Sequence, residues 1–133
     1  MVHLDRNKPI QFTSDRLIFN QKDNIAELFD GVEIIQGESI LNAEHVKVIY
    51  SKTDNKLEKI FAGINVVFKS GNDIAKAENA IYSFLEDTIS LSGNAKLFQG
   101  SNSILADQIL INTKTGLTQM LGSVKTIISP SAN

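Results

Sequence analysis

The feature of this sequence that most restricts its fold is an internal repeat of about thirty residues, built from two interleaved patterns. One pattern is a small residue, an acid and then alternating apolar positions, and its acids are Asp15, Glu44, Glu78 and Asp107. The other is an apolar residue two positions before a glycine, followed by a short β-prone run. Its apolar residues are Phe29, Phe61, Leu91 and Met120, and its glycines are Gly31, Gly63, Gly93 and Gly122. Because the two patterns share one period, we expect stacked copies of one structural unit.

Inside each repeat apolar side chains recur at every second position, as in Val46, Val48 and Tyr50, which is the period of a β-strand. Turn-forming pairs such as Asp30-Gly31 and Gly93-Asn94 are predicted to separate the strands. Residues 73–85 contain good helix formers, but their register matches strands in the other repeats, so we predict a strand there too. The residues therefore predict one all-β domain spanning 1–133, with repeats over about 9–130, arranged as a sandwich, a jelly roll or a solenoid-like stack.

Composition excludes several functions. The net charge of −2 does not fit a nucleic-acid binder, and no apolar run approaches the roughly 18 residues that a membrane-spanning helix needs, so we expect a soluble protein. Cysteine is absent, which removes disulfides, thiolate nucleophiles and cysteine-type zinc sites. The two histidines are His3 and His45, and the equivalents of His45 in other repeats are Arg16, Asn79 and Gln108. We therefore expect no catalytic residues, no metal and no cofactor.

Two recurring sets of charges invite functional interpretations. The acids could suggest calcium sites or paired catalytic carboxylates, but one acid per repeat favours corner acids that accept backbone N–H bonds where the chain turns between strands. Lys47, Lys69, Lys96 and Lys125 lie at roughly similar repeat positions. These lysines could form a basic stripe that contacts anionic head groups. We prefer the interpretation that they lie on an ordinary solvent-exposed face.

The succession of these segments resembles the OstA-like repeat of the LptA family of periplasmic lipopolysaccharide transport proteins. The resemblance covers about residues 8–128, and the segments that carry it are 8–15, 29–37, 40–46, 91–97 and 104–109. It implies a jelly-roll-like, V-shaped stack of antiparallel strands in two sheets, open at both ends. It also implies a periplasmic protein whose signal peptide, absent from this chain, has been removed. The Asp30-Gly31 pair departs from the family pattern, since it stands where Gly-Asn stands at Gly93-Asn94.

The resemblance further implies a non-enzymatic bridge that shelters lipid A acyl chains and carries lipopolysaccharide from the inner to the outer membrane. Its partners would be lipopolysaccharide, further copies head-to-tail, and the OstA-like domains of the inner- and outer-membrane components. Strand parity and repeat equivalence select the interior, lipid-facing candidates: Ile34, Val48, Phe61, Val66, Tyr82, Phe84, Leu91, Leu97 and Ile109.

Open stacks leave an unpaired strand edge at each end, which is a template for pairing with another chain. We expect the first strand to be Ile10 to Ser14 and the last Val124 to Ile128, at opposite ends of the stack. The candidate interface residues are Ile10, Gln11, Phe12, Thr13, Val124, Lys125, Thr126 and Ile127. The alternative is that the tails 1–8 and 129–133 fold over these ends and cap them.

Two other functions stay open from the sequence. A structural β-repeat assembly module would have a closed core and no lipid ligand. A sugar-binding or carbohydrate-active jelly roll is less favoured, because it would need exposed aromatic platforms and paired acids, whereas Trp is absent and there are two Tyr.

Overall fold

The computed structural model describes residues 7–130, and these residues form antiparallel β-strands joined by turns. The strands are β1 (Ile10–Thr13), β2 (Arg16–Asn20), β3 (Ile25–Gln36), β4 (Ser39–Tyr50), β5 (Leu57–Ser70), β6 (Asp73–Ser83), β7 (Thr88–Gln99), β8 (Asn102–Asn112), β9 (Thr118–Leu121) and β10 (Lys125–Ile127). The strand predicted over residues 73–85 is confirmed by β6. The all-β prediction is confirmed with it.

All ten strands belong to one sheet, in the order β1-β3-β4-β5-β6-β7-β8-β10. β1 and β2 pair with successive halves of β3, and β10 and β9 pair with successive halves of β8. The two short strands at each end therefore act as one interrupted strand. The sheet is a row of antiparallel strands that is not closed into a barrel.

A line of kinks crosses the middle of this sheet. The ladder shifts register between Phe29 and Val32 on β3, and comparable shifts interrupt every pair of long strands. Each kink contains two consecutive residues with positive φ: Asp30-Gly31, Ile64-Asn65, Gly93-Asn94 and Gly122-Ser123. Extra residues in one strand bend it and increase its twist. The prediction that the pairs at 30–31 and 93–94 separate strands is wrong, because both pairs lie inside a strand.

The recurring acids face these kinks from the neighbouring strands. Asn65 Nδ2 donates to Glu44 Oε2 at 2.9 Å, and Asn94 Nδ2 donates to Glu78 Oε1 at 3.4 Å. The backbone N–H groups of Asp15 and Asp107 donate to the carbonyls of the kink residues Asp30 and Gly122. The acids therefore lie at bends within the sheet. The sequence had predicted them at turns between strands, and that position is wrong.

The kinks divide the sheet into two leaves that fold over each other. Leaf A comprises the strand halves 10–13, 32–36, 39–43, 66–70, 73–77, 95–99, 102–106 and 125–127, and its outer rim carries two-residue hairpins such as Gly37-Glu38. Leaf B comprises 16–20, 25–29, 45–50, 57–63, 79–83, 88–92, 108–112 and 118–121, and its rim carries longer loops such as 51–56. Buried apolar residues of both leaves form one core cluster. The two predicted sheets are therefore two leaves of one continuous sheet.

Candidate functional site

The interior between the leaves is lined by apolar side chains from every long strand. Six of the nine predicted interior residues are buried in it: Ile34, Val48, Val66, Leu91, Leu97 and Ile109. Tyr82 and Phe84 are partly buried and pack against the same cluster. Their rings stack at a centroid distance of 4.1 Å, near the rim of leaf B.

Phe61 is wrongly predicted, because it lies on the outer face of leaf B. Its neighbours Ile60 and Ala62 are the buried ones. The prediction aligned the repeats on glycine and equated Phe61 with Leu91. The kink of β5 is at Ile64-Asn65, one position after Gly63, so the alignment was out by one. Ala62 is the true equivalent of Leu91, since both pair with Ala80.

A small cavity remains between the leaves, with a volume of about 40 Å³. Its apolar walls include Ile34, Leu41 and Phe68 from leaf A and Ile60 and Ile89 from leaf B. A single water needs roughly 10–15 Å³ of such space, so the cavity has room for a few water-sized molecules and not for an extended acyl chain.

The cavity has a polar side, formed where leaf A turns at its rim. Gln36 and Ser39 flank the first hairpin and are 4% and 3% exposed. The Tyr82 hydroxyl of leaf B donates to Gln36 Oε1 at 3.4 Å, and Gln36 Nε2 donates to the Lys8 carbonyl at 3.0 Å. Ser39 Oγ donates to Ser70 Oγ at 3.3 Å. Strand parity does not reveal these buried polar groups, because it reports the positions of apolar residues alone. Their position beside the hairpin glycines is the sequence signal that would find them.

The two ends of the sheet leave interior-facing side chains uncovered. Leu17 and Phe19 on β2 pair with the buried Leu28 and Ala26, yet they are 56% and 52% exposed. At the far end Val124 is 50% exposed. The predicted end strands are confirmed at opposite ends of the strand order. Each covers only half of its edge, with β2 or β9 forming the other half, and Val124 precedes β10.

The capping alternative falls largely outside the described residues. Within them, the Lys8 carbonyl accepts from Gln36, and the Ser129 N–H donates to Asn102 Oδ1 at 3.0 Å. Each contact joins a tail residue to the strand with which its own end strand already pairs: Lys8 contacts β3, the partner of β1, and Ser129 contacts β8, the partner of β10.

His45 lies on the outer face of leaf B. His45 Nε2 lies 2.9 Å from Glu27 Oε2, and its ring packs on Phe29 at 5.0 Å. In the described part of the chain, no three His, Cys, Asp or Glu side chains come together as a metal site. The same residues include no helix that is long and apolar enough to span a membrane. In loop 51–56 the Lys56 N–H, followed by the Ser51 hydroxyl, lowers the pKa of Asp54.

Three comparisons place this geometry among known proteins. An uncharacterised protein of Rhizobium meliloti (strain 1021) is 26% identical over 127 residues, covering 90% of this chain and 68% of that protein. The crystal structure of LptH from Pseudomonas aeruginosa, described as the LptA-homologous periplasmic component of the lipopolysaccharide transport device, superposes with a TM-score of 0.81. That match is 18% identical and covers 95% of this chain and 99% of LptH, so it supports the fold alone.

A family model described as "LptA/(LptD N-terminal domain) LPS transport protein" matches residues 11–117, which is most of the chain. The sequence resemblance is thereby confirmed. The chain belongs to the LptA/LptD N-terminal domain family of lipopolysaccharide transport proteins.

Proposed function

We propose that this protein is a non-enzymatic periplasmic carrier that shelters the acyl chains of lipid A between its leaves while the sugars stay outside. Copies joined end to end would then form a bridge that carries lipopolysaccharide from the inner to the outer membrane. Family membership supports the transport role, and LptH, which shares the fold, is a periplasmic component. The observation that carries the sheltering step is an apolar interior that reaches both ends of the sheet with its side chains uncovered.

Because the cavity of about 40 Å³ is too small for an acyl chain, the leaves must part before a lipid fills it. Burying each methylene stabilises by about 0.8 kcal/mol, so a chain of about twelve carbons gains on the order of 10 kcal/mol. Such a gain offsets the loss of some contacts between the leaves. Tyr82 of leaf B and Gln36 of leaf A both line the cavity and are hydrogen-bonded to each other, so parting the leaves there separates this contact.

Photo-crosslinking tests the sheltering step. A benzophenone amino acid at Tyr82 should crosslink to lipopolysaccharide, whereas the same group at Phe61 on the outer face of leaf B should not. Phosphatidylethanolamine serves as the non-glycolipid control. If a folded Tyr82 variant fails to crosslink, or if Phe61 crosslinks equally well, the protein is the closed-core assembly module instead.

Assembly follows from the direction of the end strands. The chain runs from leaf A to leaf B through β1 and β2, and from leaf B to leaf A through β9 and β10. Joining the β9/β10 edge of one copy to the β1/β2 edge of the next therefore gives antiparallel pairing with leaf on leaf and kink on kink. Two like edges would pair antiparallel only by setting leaf A against leaf B.

The internal repeat also predicts the register of that junction. Inside the chain, Ser92 pairs with Gln108 and Ala95 with Ala106 across the kinks of β7 and β8. The kink at Gly122-Ser123 is equivalent to that at Gly93-Asn94. The same offset places Leu121 opposite Arg16, Val124 opposite Ser14 and Lys125 opposite Thr13 of the next copy.

Cysteine pairs test this register in a chain that has no cysteine of its own. Directly opposite residues have Cβ atoms about 4.5–5.5 Å apart, within reach of a disulfide after small adjustments. The Thr13→Cys/Lys125→Cys variant should form a ladder of linked chains under mild oxidation. The Glu33→Cys/Lys125→Cys control, whose cysteines would be two strands apart, should stay monomeric. Equal ladders from both variants would contradict the register, and a wild type that is monomeric at every concentration would contradict assembly.

A further inference from the structure

The outer face of leaf A carries four exposed lysines: Lys69, Lys76, Lys96 and Lys125. Among residues 7–130, no carboxylate lies within 4 Å of any of them. Lys76 and Lys96 lie directly opposite each other on β6 and β7. Like charges in that arrangement destabilise a sheet. This pair therefore lowers the stability of the folded sheet on this face.

The nearest acids are directed elsewhere. Glu78 lies over the kink at Gly93. A Cβ added at Gly93 would lie 2.8 Å from the Cβ of Glu78. The Glu78 carboxylate accepts a hydrogen bond from Asn94 Nδ2. Asp107 lies over the kink at Gly122 in the same way. Both carboxylates contact residues of the kinks, and neither is within ion-pair distance of the four lysines.

Apolar side chains fill the space between the lysines. Along one cross-strand row Val67, Lys76, Lys96, Leu105 and Lys125 are successive partners. The parallel row, nearer the rim, contains Ile35, Ile40, Lys69, Ile74, Phe98, Ser103 and Ile127. Glu33 is the one acidic residue among the described members of these two rows. Lys76 Nζ lies 5.8 Å from the centre of the Phe98 ring.

The outer face of leaf B also carries cations, but they are arranged differently. His45 Nε2 lies 2.9 Å from Glu27, and Arg16 stacks over Phe29 at 4.4 Å. Lys47 lies directly opposite Glu27, and Lys59 lies between Ile49 and Ser83. Leaf A differs in that two of its lysines, Lys76 and Lys96, are directly opposite each other.

We propose that the outer face of leaf A docks onto the surface of an anionic phospholipid bilayer. The lysines meet lipid phosphates, and the interleaved apolar side chains reach the boundary between the head groups and the acyl chains. The chemistry that argues for this occupant is charge complementarity together with apolar residues in the same rows. This surface is separate from the interior that would hold a lipid cargo, so docking does not depend on sheltering.

Vesicle flotation tests the proposal. Wild-type protein should bind equimolar phosphatidylglycerol/phosphatidylcholine vesicles at about 0.05 M salt and be released at about 0.5 M, because salt screens exposed charges. Pure phosphatidylcholine vesicles should not bind it. Each lysine near an anionic surface contributes about fivefold to binding, so Lys69→Gln/Lys76→Gln/Lys96→Gln should weaken binding about a hundredfold.

The matched control Lys22→Gln/Lys52→Gln/Lys56→Gln removes the same charge from the loops of the leaf B rim and should bind like wild type. Thermal melts confirm that both triple variants fold. Equal loss in both would mean that net charge alone acts, which overturns the proposal. Absence of binding by folded wild type also overturns it, and would direct the search to an acidic protein. Lipopolysaccharide crosslinking at Tyr82 should be unchanged by the Lys69/Lys76/Lys96 variant, which separates this test from that of the carrier function.

Discussion

Val32 and Val124 hold the same position of the repeat, each directly after a kink, and they differ completely in environment. Val32, on β3 one strand in from the first edge, is 0% exposed, while Val124 at the last edge is 50% exposed. Nothing in the local sequence distinguishes them, since both follow a positive-φ pair and face the interior. The difference comes from neighbours: β3 has strands on both sides, and β10 has one. Burial in a repeat stack is a property of position in the stack.

The comparison extends to the first edge. Leu17 and Phe19 have the interior parity of buried residues on β3, yet both are more than half exposed. In a single chain these side chains are only partly covered, and Phe19 packs edge-on against Tyr50 at a centroid distance of 6.3 Å. A neighbouring copy in the predicted register would cover both edges at once, as the proposed end-to-end assembly requires.

Replacing the two valines by aspartate gives the largest expected difference. Val32→Asp buries a charge without a partner and should cost on the order of 4 kcal/mol or more, enough to unfold a domain of this size. Val124→Asp stays solvated in the monomer and should change the free energy of unfolding by less than about 1 kcal/mol, while it prevents self-association. Denaturant melts with light scattering check both. Equal destabilisation would show that Val124 is already covered in the monomer.

The first residue of each kink gives a second comparison of centre and end. Gly93→Ala forces an alanine to φ +85° and against Glu78, and should cost about 1–3 kcal/mol. Gly122→Ala meets Asp107 in the same way at the edge, where β9 and β10 can separate locally, so its effect on global unfolding should be smaller. Ile64 occupies the equivalent position with φ 67°, a conformation that β-branched residues rarely adopt.

Ile64→Gly should therefore stabilise the protein by up to about 1 kcal/mol, the reverse of Gly93→Ala. Thermal melts of the three variants in parallel give the order. An Ile64→Gly variant less stable than wild type would mean that the exposed isoleucine side chain contributes more than its backbone strain costs.

The sequence predicted the repeat, the strand parity and the two end strands because alternating apolar positions report directly which face of a strand is buried. It misplaced Phe61 because it aligned glycines, whereas the structure aligns pairs of positive-φ residues, and in β5 that pair is Ile64-Asn65 with no glycine. Asp30-Gly31, a departure from the family pattern, proves equivalent to Gly93-Asn94 in conformation. The small size of the cavity and the hydrogen bond between Tyr82 and Gln36 depend on how closely the two leaves approach each other, which no local sequence pattern encodes.

The smallest expected effect concerns His45 and Arg16, equivalent positions that flank Phe29 on the outer face of leaf B. His45 contacts Glu27 and Phe29 on a half-exposed surface, and such pairs contribute about 0–1 kcal/mol. His45→Ala should therefore lower the free energy of unfolding by less than about 1 kcal/mol and leave lipid crosslinking at Tyr82 unchanged.

Arg16→Ala should have an equally small effect on the monomer. Since the predicted register sets Arg16 opposite Leu121 of the next copy, it should also weaken association, which His45→Ala should not. Sedimentation of both variants over a range of concentrations distinguishes them, and equal association would remove Arg16 from the junction. A chelator-dependent drop in the melting temperature of wild type would show that a metal acts on this protein after all.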